Sequence, residues 1–163
     1  MQSKKSKVSM QPSTAPAAEV SRRMSLTVGR DNPRELRIRS ALHAQGLRFR
    51  VHHASVPGTK RTLDIAFPGI RLAVLCDGCF WHGCPLHSTI PKSNRDWWVQ
   101  KIATNVSRDR DTDTRLVTDG WTVVRIWEHV PIDEAIRLVL TRHRELAGGD
   151  GKSKKARTRK GPR

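Results

Sequence analysis

The sequence predicts an α/β domain, because two hydrophobic patterns alternate along it, each bounded by its own stop signals. Short apolar runs at 62–67, 71–76 and 121–127 have the length of strands. Around them, residues 32–45, 93–116 and 132–146 carry apolar side chains at helical spacing behind cap and proline signals. A chain of 163 residues suits one domain of ordinary size. The composition delimits it as residues 22–147, between a basic leader (1–21) and a basic tail (148–163), both expected to be disordered.

In order, the leader is rich in Lys, Ser, Gln, Pro and Ala without hydrophobic periodicity. Arg22, Arg23 and Met24 then pair charge with a flexible apolar side chain, an arm that could lie in a DNA minor groove with Met24 as a wedge, or a plain leader. Asp31 or Asn32 before Pro33 starts a helix that Gly46 stops. Leu36, Ile38, Ala41 and Leu42 are its expected core side, and Glu35 stands in its first turn, where a carboxylate ordinarily serves the helix dipole. Leu47 to His52 alternates apolar and basic residues, the pattern of a strand with a basic face. Pro57-Gly58 turns the chain, Lys60 and Arg61 add charge, and Thr62 to Phe67 forms a second strand ended by Pro68-Gly69.

Asp64 interrupts that strand. A carboxylate between Leu63 and Ile65 is costly to bury unless it is paired or binds a cation, which makes it a candidate metal ligand. A third strand, Arg71 to Cys76, leads into the stretch Leu75 to His87, which holds all three cysteines, two histidines, Asp77, Phe80 and Trp81. If the two strands end near one another, Asp64 meets Cys76 and Asp77, as a magnesium-dependent phosphodiester nuclease requires. His82 could then deprotonate the attacking water. Cys79, Cys84 and His87 supply three ligands of a tetrahedral zinc site; His129 is the candidate fourth, with His82 and His143 competing.

Ser93 or Asn94 can cap a long helix with Trp98, Ile102 and Val106 on one face, and Lys101 among its basic residues. Neighbouring aromatics point in different directions, so one of Trp97 and Trp98 is expected in the core, while Phe80 and Trp81 could stack on bases. Gly120 ends the helix, Trp121 to Trp127 forms a strand, and Pro131 opens a last helix from Ile132 to Leu146.

The formal charge of +16, from 31 basic and 15 acidic residues, points to a polyanion, most often nucleic acid. No run approaches the roughly 18 apolar residues of a membrane span, and the start of the chain lacks a signal-peptide core, so no membrane partner and a cytosolic location are expected. Three cysteines within nine positions fit metal or thiol chemistry better than an extracellular disulfide framework.

Asp77 to His87, Pro91-Lys-Ser-Asn94, the Trp97-Trp98 pair, Lys101, Asn105, Arg108-Asp109 and Gly120 to Glu128 together resemble the very-short-patch repair (Vsr) DNA mismatch endonucleases, over about Arg22 to Leu140. The resemblance implies a restriction-endonuclease-like α/β fold, a mixed central sheet flanked by helices with a structural zinc site, in a bacterial monomer found on the nucleoid when bound to DNA. It also implies a magnesium-dependent nick 5′ to the thymine of a T:G mismatch arising by deamination of 5-methylcytosine. By this resemblance Asp64 binds magnesium, with the main-chain carbonyl of Cys76 as a further ligand, and His82 is the general base. Glu35 arranges the active-site water. Phe80, Trp81 and Trp98 are implied to intercalate beside the mismatch and Lys101 to lie close to DNA, while Cys79, Cys84, His87 and His129 fall where zinc ligands belong. Asp77 stands where the family has a histidine near the phosphate, an extra catalytic carboxylate that could bind metal directly. The Pro57–Asp64 loop is longer than usual and adds Lys60 and Arg61. A sequence-specific restriction-type endonuclease and a non-catalytic zinc-containing DNA-binding protein are the alternative readings.

Overall fold

The computed structural model describes residues 32–157, with side chains described as far as 148. The elements follow in the order α1 (Pro33–Ala44), β1 (Arg50–His53), β2 (Leu63–Phe67), a 3-10 turn (Pro68–Ile70), β3 (Leu72–Asp77), α2 (Arg95–Thr118), β4 (Thr122–Trp127) and α3 (Ile132–Arg157). The strands form one mixed sheet in the order β1-β2-β3-β4, antiparallel except for the parallel β3/β4 pair. That parallel pair needs a long crossover, and α2 supplies it.

β3 reads as a continuous apolar run because both of its faces are covered. Leu72 and Val74 join Ile38 and Leu42 of α1, Phe67 of β2 and Val139 of α3. Ala73 and Leu75 face the other way, toward Leu63, Leu116 of α2 and Trp121. Thus α1 and α3 cover one face of the sheet and α2 the other. Full burial of a leucine such as Leu42 or Leu116 contributes about 2 kcal/mol.

Asn32 caps α1 by accepting a 2.9 Å hydrogen bond from the Glu35 N–H, and Pro33 opens the first turn. The buried stripe of α1 differs from the expected one. It consists of Glu35, Ile38, Arg39 and Leu42, whereas Leu36 is 49% exposed. Positions i, i+3, i+4 and i+7 share a helix face. Two of the four are charged here, so apolar residues alone do not reveal the face. Arg39 Nη2 lies 3.0 Å from Glu35 Oε2, and this mutual pairing makes their burial tolerable.

Three boundaries also differ from the sequence reading. β1 starts at Arg50, not Leu47, because the Arg50↔Ala66 register sets Arg48 opposite Pro68, which has no N–H and opens the 3-10 turn. Asn94, not Ser93, is the residue that precedes α2, and it stands in a left-handed conformation (φ 53) with no side-chain cap bond. α3 continues through Gly148 and Gly149 to Arg157, past the expected end of order, since each residue added to an established helix gains a backbone hydrogen bond. Arg22, Arg23 and Met24, with the rest of the leader, lie outside the described residues. Among the described residues no helix is long and apolar enough to cross a membrane.

Candidate active site and metal centre

The antiparallel β2/β3 register, with Ile65 opposite Val74, brings the start of β2 to the end of β3. Asp64 and Cys76 therefore meet, and the Cys76 N–H donates a 2.7 Å hydrogen bond to Asp64 Oδ2. Both line a cavity of about 520 Å³ together with Glu35, Asp77, His82 and Asp109. Burial raises the pKa of Asp64 above the usual carboxylate range, and the nearby Asp77 charge adds to this, against the opposing Cys76 hydrogen bond. A cation beside the carboxylate would reverse that penalty. Asp64 and Glu35 both line the cavity, and carboxylate oxygens are the ligand type that a hard divalent ion takes. The Cys76 thiol is pushed up to about 12, by burial first and then by Asp64, Glu35 and Asp77, so it stays protonated at neutral pH.

Glu35 is only 4% exposed. Its carboxylate accepts hydrogen bonds from Asn32 Nδ2 at 2.6 Å and Arg39 Nη2 at 3.0 Å, and Arg39 also donates to the Asp64 carbonyl at 3.2 Å. The first turn of α1 is in this way tied to β2 at the metal-candidate residue, a buried role beyond the helix dipole.

His82 sits in the turns after β3, and its N–H donates to the Gly78 carbonyl at 3.1 Å. Its Nδ1 lies 2.7 Å from Asp109 Oδ2 and 3.6 Å from Asp77 Oδ1. Burial opposes the imidazolium, but the Asp109 hydrogen bond and the Asp77 and Asp109 charges outweigh it, so His82 titrates above its ordinary value. In the neutral ring, the Asp109 bond holds the proton on Nδ1 and leaves the Nε2 lone pair as the basic face. Gly83 makes the tight turn possible. It has φ +62, and a Cβ there would lie 3.0 Å from Val106 Cγ2 of α2.

Asp77 is not an open metal ligand. Both its carboxylate oxygens accept hydrogen bonds from Arg125 Nη1, at 2.8 and 2.7 Å. Arg125 also binds Asp113 through Nε and the Asp109 carbonyl through Nη2. The extra carboxylate is consumed because parallel β4 sets Arg125 opposite Leu75, two residue pairs before the strand end, where its long side chain reaches Asp77.

The aromatics form one cluster. Phe80 lies 5.2 Å from Trp81 and 5.3 Å from Trp98, ring centre to ring centre. Trp98, expected on the DNA side, is 2% exposed and is the core member, since it shares the buried face of α2 with Ile102 and Leu116. Phe80, Trp81 and Trp97 are half-buried, and Lys101 is exposed on α2. The Asn105 side-chain amide donates to the Trp81 carbonyl at 3.0 Å, fixing the aromatic turn to α2.

Cys79, Cys84, His87 and His129 converge, with one ligand atom from each lying within 4.8 Å of all the others. Cys79 Sγ and Cys84 Sγ lie 3.2 and 3.5 Å from His129 Nδ1, and Cys84 Sγ lies 3.8 Å from His87 Nδ1. Tetrahedral zinc with ordinary bond lengths separates sulfur and nitrogen ligands by about 3.6 Å, so this donor set fits the ion. His143 packs on Phe67 elsewhere, and His82 is held by Asp109, which leaves His129 as the fourth donor. The Cys79 N–H donates to Glu128 Oε2 at 3.1 Å, and the Glu128 N–H to the Asp77 carbonyl at 2.8 Å, joining the cluster to the end of β3.

Sequence reasoning missed Asp109, Arg125, Arg39 and Asn105. Asn105 and Asp109 are among the residues that carry the family resemblance, and Arg125 lies within the Trp121 to Trp127 strand, but the sequence alone assigns none of them a role. The signal for Arg125 was the same as that for Asp64, a charge flanked by buried residues.

The family model of the DNA mismatch endonuclease Vsr matches residues 15–88. The Type II nicking enzyme V.NaeI of Lentzea aerocolonigenes is 38% identical over 117 residues, 71% of this chain and 70% of that protein. The Type II nicking enzyme V.XorIIP of Xanthomonas oryzae pv. oryzae is 43% identical over 96 residues, 58% of this chain and 68% of that protein. The DNA mismatch endonuclease Vsr of Escherichia coli is 39% identical over 110 residues, 66% of this chain and 68% of that protein.

Proposed function

Because the chain belongs to the DNA mismatch endonuclease Vsr family of nucleases acting on DNA phosphodiester bonds, we propose that it nicks duplex DNA 5′ to the thymine of a T:G mismatch. The observation that carries this reading is the convergence in one cavity of Asp64, Glu35 and a His82–Asp109 pair, beside the Phe80–Trp81 aromatic turn.

In this reading Asp64 and the Cys76 carbonyl hold magnesium, which when bound polarises the scissile phosphate and stabilises the leaving oxygen. His82 Nε2 takes a proton from the attacking water as the water oxygen bonds to phosphorus and the phosphorus–oxygen ester bond breaks. Asp109 orients the imidazole and stabilises the imidazolium that forms. Glu35 positions water, held by Asn32 and Arg39. Asp77 serves through its charge beside His82. Phe80 and Trp81 wedge into the mismatch, where unstacking is less costly than in paired DNA. Zinc on Cys79, Cys84, His87 and His129 is a scaffold for the aromatic turn, with no open coordination position in the proposed set.

Nicking assays with magnesium on T:G, other mismatched and fully paired duplexes test the proposal. Preference for T:G, abolished in Asp64→Ala, is the expected result. Equal rates on paired DNA would replace it with the restriction-type reading, to which the Type II nicking enzymes among the relatives lend weight. Zinc-dependent DNA binding without nicking would leave a non-catalytic binding protein.

A further inference from the structure

The cavity is lined by four cations other than His82, namely Lys60, Arg61, Arg108 and Arg125. Two of them are committed within the protein. Arg125 is held by Asp77 and Asp113, and Arg61 by Asp111 at 2.7 Å and Thr112 at 2.8 Å. Lys60 and Arg108 are exposed; Arg108 acts through its charge on the adjacent Asp109, whereas the Lys60 side chain makes no hydrogen bond or ion pair with any described residue. A cationic side chain facing an enzyme cavity without a protein carboxylate is available to an anionic substrate.

The segment that carries Lys60 is built and not merely long. On its N-terminal side, Val56 is buried with Leu63, Leu116 and Trp121, and its carbonyl accepts from both the N–H and the hydroxyl of Thr59. Arg115 Nη1 donates to the Pro57 carbonyl at 3.0 Å. On the C-terminal side, the Arg61 N–H donates to Thr59 Oγ1 at 3.1 Å, and the Arg61 guanidinium reaches α2 at Asp111, Thr112 and the Arg108 carbonyl. Arg61 and Arg115 share Asp111, so one carboxylate clamps both ends of the segment to α2. Lys60 thus lies between two flanks that hydrogen bonds anchor to α2 and to Val56.

We propose that Lys60 is a backbone-phosphate contact for the DNA strand entering the cavity, presented by the Pro57–Thr62 segment through the Arg61–Asp111–Arg115 clamp. It acts as a point charge that neutralises one phosphate and reads no base. This inference rests on the DNA-nicking reading above and assigns Lys60 no part in the chemical step.

The test is duplex DNA binding and single-turnover nicking by the full chain across a salt series, with Lys60→Ala, Lys60→Arg and Arg61→Ala. Loss of one phosphate contact lowers the slope of log affinity against log salt by about 0.9 and weakens binding roughly eightfold at 0.1 M salt. Lys60→Ala is expected to show both effects equally on T:G and paired duplexes, with nicking at saturating DNA unchanged. Lys60→Arg, which keeps the charge, is expected to bind as the parent does. Arg61→Ala, which retains Lys60 but releases its segment, is expected to fall between. Parent-like affinity and salt slope in Lys60→Ala overturns the contact, as does lost nicking at saturation with unchanged affinity. Parent-like binding by Arg61→Ala overturns the clamp. If the parent chain itself neither binds nor nicks duplex DNA, the nicking reading fails and not the Lys60 assignment alone.

Discussion

Buried Asp77 and partly buried Arg125 form an ion pair between the parallel strands β3 and β4, with Arg125 Nη1 2.8 and 2.7 Å from the two carboxylate oxygens. Asp77 is 4% exposed, and its carboxylate also lies 3.6 Å from His82. The pair thus adjoins the proposed base and removes a carboxylate from the cavity's open ligands. Removing Arg125 strands a buried charge. Arg125→Leu is expected to cost about 3 kcal/mol in a denaturant melt. Asp77→Val with Arg125→Leu is expected to recover part of the loss, the remainder reflecting Asp113 and the Asp109 carbonyl. An Arg125→Leu chain as stable as the parent would show that the pair contributes nothing.

Asp109 selects the His82 tautomer. Asp109→Asn keeps the size of the group but can present its amide to Nδ1, moving the ring proton to Nε2 and blocking the basic face. Single-turnover nicking is expected to fall by about 10²- to 10⁴-fold with the thermal melt little changed. Unaltered nicking would remove Asp109 from the proton path.

The four-donor cluster is expected to hold one zinc per chain by elemental analysis. Cys84→Ser and His129→Ala should each lower zinc content, and chelator treatment should lower the melting temperature, because metal binding free energy is folding free energy. Retained stoichiometry in both variants would remove the cluster as the zinc site.

Gly83 carries a conformational prediction. At φ +62, with a would-be Cβ 3.0 Å from Val106 Cγ2 and 3.2 Å from Ile102 Cγ2, alanine meets both backbone strain and a packing clash. Gly83→Ala is expected to lose about 2 kcal/mol of stability and to displace His82 from Asp109, lowering nicking further than stability explains. Val106→Ala added to it should restore part of the packing loss and none of the φ strain.

Trp81 faces a different test from Trp98. Trp98 is core, so Trp98→Ala is expected to cost about 3 kcal/mol in stability. Trp81→Ala is expected to fold but to lose preference for T:G over paired duplex, read as a ratio of nicking rates. A preserved ratio would take Trp81 out of mismatch recognition.

Local sequence was sufficient wherever chemistry and spacing lie close together. Cys79, Cys84 and His87 stand within one turn-rich stretch, Asp64 is conspicuous between buried neighbours, and the apolar runs mark β2, β3 and β4. The Asn32-Pro33 start and Gly46 stop of α1 are readable because capping is a property of a few adjacent residues. Tertiary structure alone decided which charges meet. Glu35 and Arg39 are buried because each neutralises the other on a face that hydrophobicity would assign to Leu36. Arg125 engages Asp77 because a parallel crossover brings residues 48 apart in sequence to one strand end. Ion pairs carry no periodicity, and their partners are chosen by register and helix packing. The sequence determined the ligands and the strands that carry them, while the fold determined how their charges are held.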